Sequence, residues 1–141
     1  MIFEQKTDLE RERNAIEYFV NMFKGSYKKL DQFDIDFKIF DENKKHIAFA
    51  EVKGRNCDMS NAYPLPISLE KVAKLMAKRM NPVIIWACTD GIIYGKAYEL
   101  VGEVKRGGRP PREGAVSDVE LMIYYPKQKG FKYIKFNEKN S

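Results

Sequence analysis

With 141 residues, 44% hydrophobic and 32% charged, the chain has the length and composition of one compact domain spanning residues 1–141, which leaves no room for a separate targeting domain. Its formal net charge of +5 suits a polyanionic partner without requiring one. Apolar runs such as 82–88 are far too short to cross a bilayer, and the first residues carry an acid and no apolar signal-peptide core. Cys57 and Cys88 lack any metal-ligand spacing and read as two free thiols in a reducing cytoplasm.

Taken in chain order, Thr7-Asp8-Leu9-Glu10 forms a capping box and predicts a helix over 8–23, closed by Gly25, with Leu9, Ile16, Phe19, Val20 and Phe23 as its apolar stripe. Residues 33–39 alternate strictly: Phe33, Ile35, Phe37 and Ile39 point one way, Asp34, Asp36 and Lys38 the other. After a polar turn at 41–45, residues 47–53 return as a second strand, most simply in an antiparallel hairpin. Residues 56–66 read as a loop. A helix is expected over 68–80, with Ser68 as N-cap and Ile67 stapled to Val72. Buried strands follow at 82–88 and 91–95, a Gly- and Pro-punctuated loop at 105–113, and a closing pair of strands at 119–125 and 131–136. The order of elements predicts an α/β layer structure with a mixed sheet.

The chemistry concentrates on the hairpin. Glu51 and Lys53 lie two residues apart and share a face, while Ala48, Ala50 and Val52 offer small side chains to the other. Joining the apolar faces of the two strands also joins the polar ones, so Asp34, Asp36, Glu51 and Lys53 gather on one surface. Carboxylates brought together repel unless a cation compensates them, and an oxygen-only donor set favours Mg²⁺ or Mn²⁺ over zinc. The Glu-x-Lys triplet alone is uninformative, since it recurs at Glu4-Gln5-Lys6 and at Glu103-Val104-Lys105 without a paired acidic strand. On the first helix, Glu12 falls near the centre of the apolar stripe and is expected to face the sheet; overhanging its edge to meet a basic side chain is the alternative.

An acid-bearing helix, then Asp36-Phe37-Lys38-Ile39, then an apolar strand ending Glu51-Val52-Lys53-Gly54-Arg55, then a helix and a buried strand, resembles the PD-(D/E)xK, or restriction endonuclease-like, nuclease superfamily over the first two-thirds of the chain. The early helical Glu is similar to that of Holliday junction resolvases and small phage endonucleases. The resemblance implies an αβββαβ core with a central mixed sheet flanked by helices, the C-terminal strands being additional. It also implies an Mg²⁺ (or Mn²⁺) site held by Asp36, Glu51 and the Val52 carbonyl, with Lys53 orienting the attacking water and Glu12 serving a second metal or its water. Departing from the family pattern, Ile35 precedes Asp36 and a second acid stands at Asp34. A four-residue turn would set Asp34 opposite Glu51 and a six-residue turn Asp36; the following Phe-Lys-Ile favours Asp36, with Asp34 as the alternative.

Lys71, Lys74 and Lys78 form a helical stripe that serves as a solvated face or a backbone contact, with Lys71 nearest the active edge. Arg55 is a candidate phosphate contact, and the loop carrying Lys105, Arg106, Arg109 and Arg112 either clamps nucleic acid or is plain surface. His46 is expected to be exposed and inert. Tyr63, Trp86, Tyr124 and Tyr125 are better placed in packing than in base stacking. The expected function is metal-dependent DNA endonuclease, on branched or structured substrates if resolvase-like, which would require a homodimer to supply two active sites. The rival is a catalytically silent nucleic-acid-binding module on the same fold. No membrane role is expected.

Overall fold

The computed structural model describes residues 2–30, 36–107 and 120–136. It opens with helix α1 (Ile2–Asn21), so Thr7 lies inside the helix and the expected capping box does not begin it. The C-terminus is a Schellman arrangement: the Gly25 amide donates to the Val20 carbonyl at 2.8 Å and the Lys24 amide to that of Asn21 at 3.3 Å. The left-handed residue is Lys24 (φ 59°), one position before the glycine. Gly25 is required for a different reason, because a Cβ there would sit 2.3 Å from the Phe40 carbonyl oxygen. Replacing Lys24 by Gly is therefore expected to raise stability by about 0.5–1 kcal/mol in urea denaturation, by relieving the left-handed backbone.

Ala15, Ile16, Phe19 and Val20 of α1 are buried, whereas Leu9 is 50% exposed and lies outside the stripe it was expected to join. Strand β1 (Ser26–Lys29), too polar to be recognised as a strand, pairs antiparallel with β2 (Phe37–Phe40). The expected strand residues 33–35 lie outside the described residues. Strand β3 (His46–Gly54) pairs antiparallel with β2 and parallel with β5 (Pro82–Ala87). Between them lie β4 (Leu65–Ser68), where a loop was expected, and α2 (Leu69–Ala77). Then come β6 (Gly91–Lys96), β7 (Glu103–Gly107), β8 (Glu120–Tyr125) and β9 (Lys132–Lys135).

Two sheets result. One is six-stranded and mixed, in the order β1-β2-β3-β5-β6-β9; the other has the order β4-β8-β7. The leading elements are thus α1, β1, β2, β3, α2 and β5, an αβββαβ core with β4 inserted before α2. The last two strands do not pair with each other as expected. β9 extends the large sheet beside β6, and β8 is the centre of the small one. Residues 105–107 belong to strand β7 and not to a loop.

Alternation along the large sheet separates two cores. On one face Phe37, Ile39, Ala48, Ala50, Val52, Val83 and Ile85 pack against α1. On the other, Phe49, Ile84, Trp86 and Ile93 pack with Val72 and Leu75 of α2 and with Leu65, Ile67 and Tyr125 of the small sheet. Trp86 is fully buried and its indole N–H donates to the Pro66 carbonyl at 2.8 Å, which anchors β4 over the sheet. His46 is half-buried, not exposed: its ring lies 4.6 Å from that of Phe49, with Nε2 3.0 Å from the Ala48 carbonyl oxygen. Among the described residues no helix is long and apolar enough to cross a membrane.

Candidate active site

The hairpin register brings the acids together. Phe37 pairs with Ala50, so Asp36, one step further, stands opposite Glu51. Both side chains leave the sheet on the α2 face, away from α1. Asp36 Oδ2 accepts the Val52 amide at 2.8 Å, and the Glu51 carboxyl accepts the Asp36 amide and shares a hydrogen bond with the Asp36 carboxyl. The Val52 carbonyl leaves its strand on the same edge as its amide, toward Asp36.

Glu51 is 2% exposed and is the only buried charged residue among those described. Burial, and then the adjoining Asp36 carboxylate, push its pKa up to about 8, while the Lys71 ammonium pulls the other way. Two carboxyls in contact hold either a proton or a cation between them. The Lys71 Nζ lies 3.7 Å from Glu51 Oε2, reaching over from the first turn of α2. Lys71 is itself 57% exposed, so the pair contributes little to stability.

Lys53 projects on the same face as Glu51, half-buried beside Trp86 in the β3–β5 register, and its ammonium makes no ion pair or hydrogen bond among the described residues. Glu12 is placed differently from the other acids. It lines a cavity of about 290 Å³ with Leu9, Arg13, Tyr27, Lys29 and Phe37, on the α1 side of the sheet. Half-buried there, beside both the basic side chains and Phe37, it lies on the face of the sheet opposite to Glu51. Arg55, at the end of β3, donates from Nε to the Ala62 carbonyl at 3.0 Å and so ties the following loop to the sheet. Asp34, Arg109 and Arg112 lie outside the described residues.

Reasoning from sequence left Lys71 as a possible backbone contact and missed its approach to Glu51. The readable signal was position: α2 is the crossover between parallel neighbours β3 and β5, so its first turn lies near the acid-bearing end of β3. As a cation site, the arrangement offers two carboxylates and one backbone carbonyl. Among the described residues, no group of three or more His, Cys, Asp or Glu side chains could hold a metal ion. The hard oxygen set fits Mg²⁺ or Mn²⁺, since Mg²⁺ usually keeps several waters and takes only one or two carboxylates.

In comparison with known families, the family described as "phage putative PDDEXK endonuclease" matches residues 1–134. No curated protein and no solved structure matches the chain.

Proposed function

Because the chain belongs to this phage PDDEXK endonuclease family, we propose that it is a metal-dependent endonuclease that hydrolyses DNA phosphodiester bonds, acting in the cytoplasm as a single domain. The observation that carries the reading is the buried Glu51 carboxyl held against Asp36 with its pKa raised to about 8. Burying an acid beside another acid is costly to a fold, and such perturbed pairs cluster at functional sites.

In this reading Asp36, Glu51 and the Val52 carbonyl hold a Mg²⁺ or Mn²⁺ ion. When bound, the ion supplies Lewis acidity toward the phosphoryl oxygens and lowers the pKa of a coordinated water. The Val52 amide fixes the Asp36 carboxylate through its 2.8 Å hydrogen bond, so that one oxygen is oriented before any ligand arrives. Lys53 orients the attacking water and stabilises charge on the phosphate, a role that suits an ammonium with no competing partner among the described residues. Asp34 is the alternative acid to Asp36, and Glu12 the candidate for a second metal or its water. Glu12 lies across the sheet from the Glu51 carboxyl, which makes it the weaker member of the set. Arg55, Lys71, Arg109 and Arg112 complete the proposed nucleic-acid contacts. Activity on branched DNA would call for a homodimer with two such sites.

The test is cleavage of supercoiled plasmid, linear duplex, single strand and four-way junction in Mg²⁺, Mn²⁺ or EDTA. Cutting in either metal, abolished by EDTA, is the expected outcome, and the best substrate identifies the preferred structure. Folded protein that binds these substrates but cuts none of them in any metal would replace the enzyme by the silent binding module.

A further inference from the structure

The face that carries Asp36, Glu51 and Lys53 also carries an unusual pair. In the β1–β2 ladder Lys28 stands directly opposite Lys38. Directly opposed residues share a face, and alternation from Phe37 and Ile39, which point to α1, sends Lys38 and Lys28 to the side of Asp36 and Glu51. Like charges set opposite each other in a sheet are destabilising. Neither ammonium has an ion pair among the described residues to offset that cost.

The lysine stripe of α2 runs along the same floor. Lys71 reaches Glu51 at 3.7 Å, and seven residues later the Lys78 ammonium lies 5.5 Å from the centre of the Phe49 ring. Phe49 is in turn the cross-strand partner of Lys38. These two contacts set the stripe alongside β3, with the three lysines still exposed to solvent. The strip of sheet between this stripe and the Lys28–Lys38 pair, a shallow groove, has Lys71, Lys74 and Lys78 along one side and Lys38 and Lys28 along the other, with the paired acids at one end. Along these sides, the acid on α2 is Glu70, bound to Lys74 at 3.3 Å.

We infer that this groove between the α2 lysine stripe and the Lys28–Lys38 pair holds the phosphodiester backbone of the strand being cut, leading away from the Asp36–Glu51 site. The inference rests on the proposed nuclease reading and adds the path of the substrate. Lys38 is two residues from Asp36, about 7 Å along the strand, which places its ammonium beside the backbone phosphate next to the scissile one. Lysines are compact point charges without the planar fork that reads base edges, so the groove positions a backbone and contributes no sequence preference.

The test measures the affinity of a fluorescein-labelled oligonucleotide, as single strand and as duplex, against salt concentration. It is run in EDTA and, on the Lys53→Ala background, in Mg²⁺. The double variant Lys28→Gln/Lys38→Gln is compared with Lys127→Gln/Lys129→Gln, an exposed pair in the turn after β8 with the same change in charge. The groove variant is expected to lose about tenfold or more in affinity, and its log–log salt slope to become shallower by about 1.8 on duplex or about 1.4 on single strand. A second variant, Lys28→Glu, converts the repulsive pair into an ion pair, so Tm is expected to rise by about 1–3 °C while binding weakens. Stabilisation coupled to lost binding is not what a solvated structural face would give. If the groove variant matches the control pair while wild type still binds and cuts, the groove inference is overturned and the nuclease reading stands. If wild type binds with a groove-dependent slope but never cuts, the nuclease reading fails, and with it the assignment of a cut strand, while the groove stands as a backbone-binding path. Absence of any binding overturns both.

Discussion

Glu51→Gln is expected to lower metal-dependent cleavage by at least about 10³-fold while making the metal-free protein more stable at alkaline pH. The first effect follows from removing a charged oxygen donor from a site with only two carboxylates among the described residues, a loss of about 4 kcal/mol in transition-state stabilisation. The second follows from linkage. In the unfolded chain a Glu titrates near 4.5; in the folded protein burial and Asp36 raise Glu51 to about 8. The folded state therefore binds more protons than the unfolded state between these values, and its stability falls as pH rises through that window. Protonated Glu51 contributes fully below about 4.5, and its contribution is lost once pH passes about 8. Glutamine is neutral throughout, so its advantage over Glu51 grows across the window, by up to about 1.4 kcal/mol per pH unit, and is largest in EDTA at pH 9. Thermal melts of both proteins in EDTA from pH 5 to 9 check this. Parallel curves across that range would mean that Glu51 does not carry the proton. Adding Mg²⁺ is expected to restore stability to wild type and to do little for the glutamine variant.

The pairing of Asp36 with Glu51 shows both what could be read from the residues and what could not. Strict alternation in both strands fixed which side chains share a face, because a one-residue slip would bury the charges under α1. The partner of Glu51 was harder to read. Five residues, 41–45, separate the strands, neither of the two turn lengths considered, and the first pair is Phe40 with His46. Continued without interruption, that pairing would set Asp36 opposite Ala50. A register shift between Ile39 and Phe40 adds the missing residue and returns Asp36 to Glu51. Nothing in loop length or composition encodes that shift; it arises because the apolar side chains of both strands must meet α1.

The small sheet was hidden for related reasons. Its edge strand β4 contains Pro66, which reads as a loop signal yet is tolerated at an edge. The other edge, β7, is charged and exposed and has no apolar alternation to announce it. Ser68 was identified as the boundary residue of α2, but its hydroxyl donates to Glu120 at 3.3 Å and accepts from none of the helix amides. Contacts between segments over fifty residues apart decide such details, and local patterns do not carry them.

The two lysines near Glu51 are expected to separate cleanly on substitution. Lys53→Met is expected to reduce kcat by about 10³-fold or more and to change Mn²⁺ affinity by less than about threefold, since Lys53 makes no contact with either carboxyl among the described residues. Lys71→Met removes the ammonium 3.7 Å from Glu51, a positive charge that opposes an incoming cation. Mn²⁺ is then expected to bind up to about fivefold more tightly, the exposed position limiting the effect. The same substitution takes one charge from the proposed substrate groove, so KM is expected to rise while kcat falls by less than about tenfold. Calorimetric titration of Mn²⁺ against each variant, together with kcat and KM on one substrate, distinguishes the two roles. Equal losses of kcat in both would make Lys71 a second catalytic ammonium. A Lys53 variant that loses metal affinity in step with activity would instead place that side chain in support of the carboxylates, leaving the orientation of the attacking water to another group.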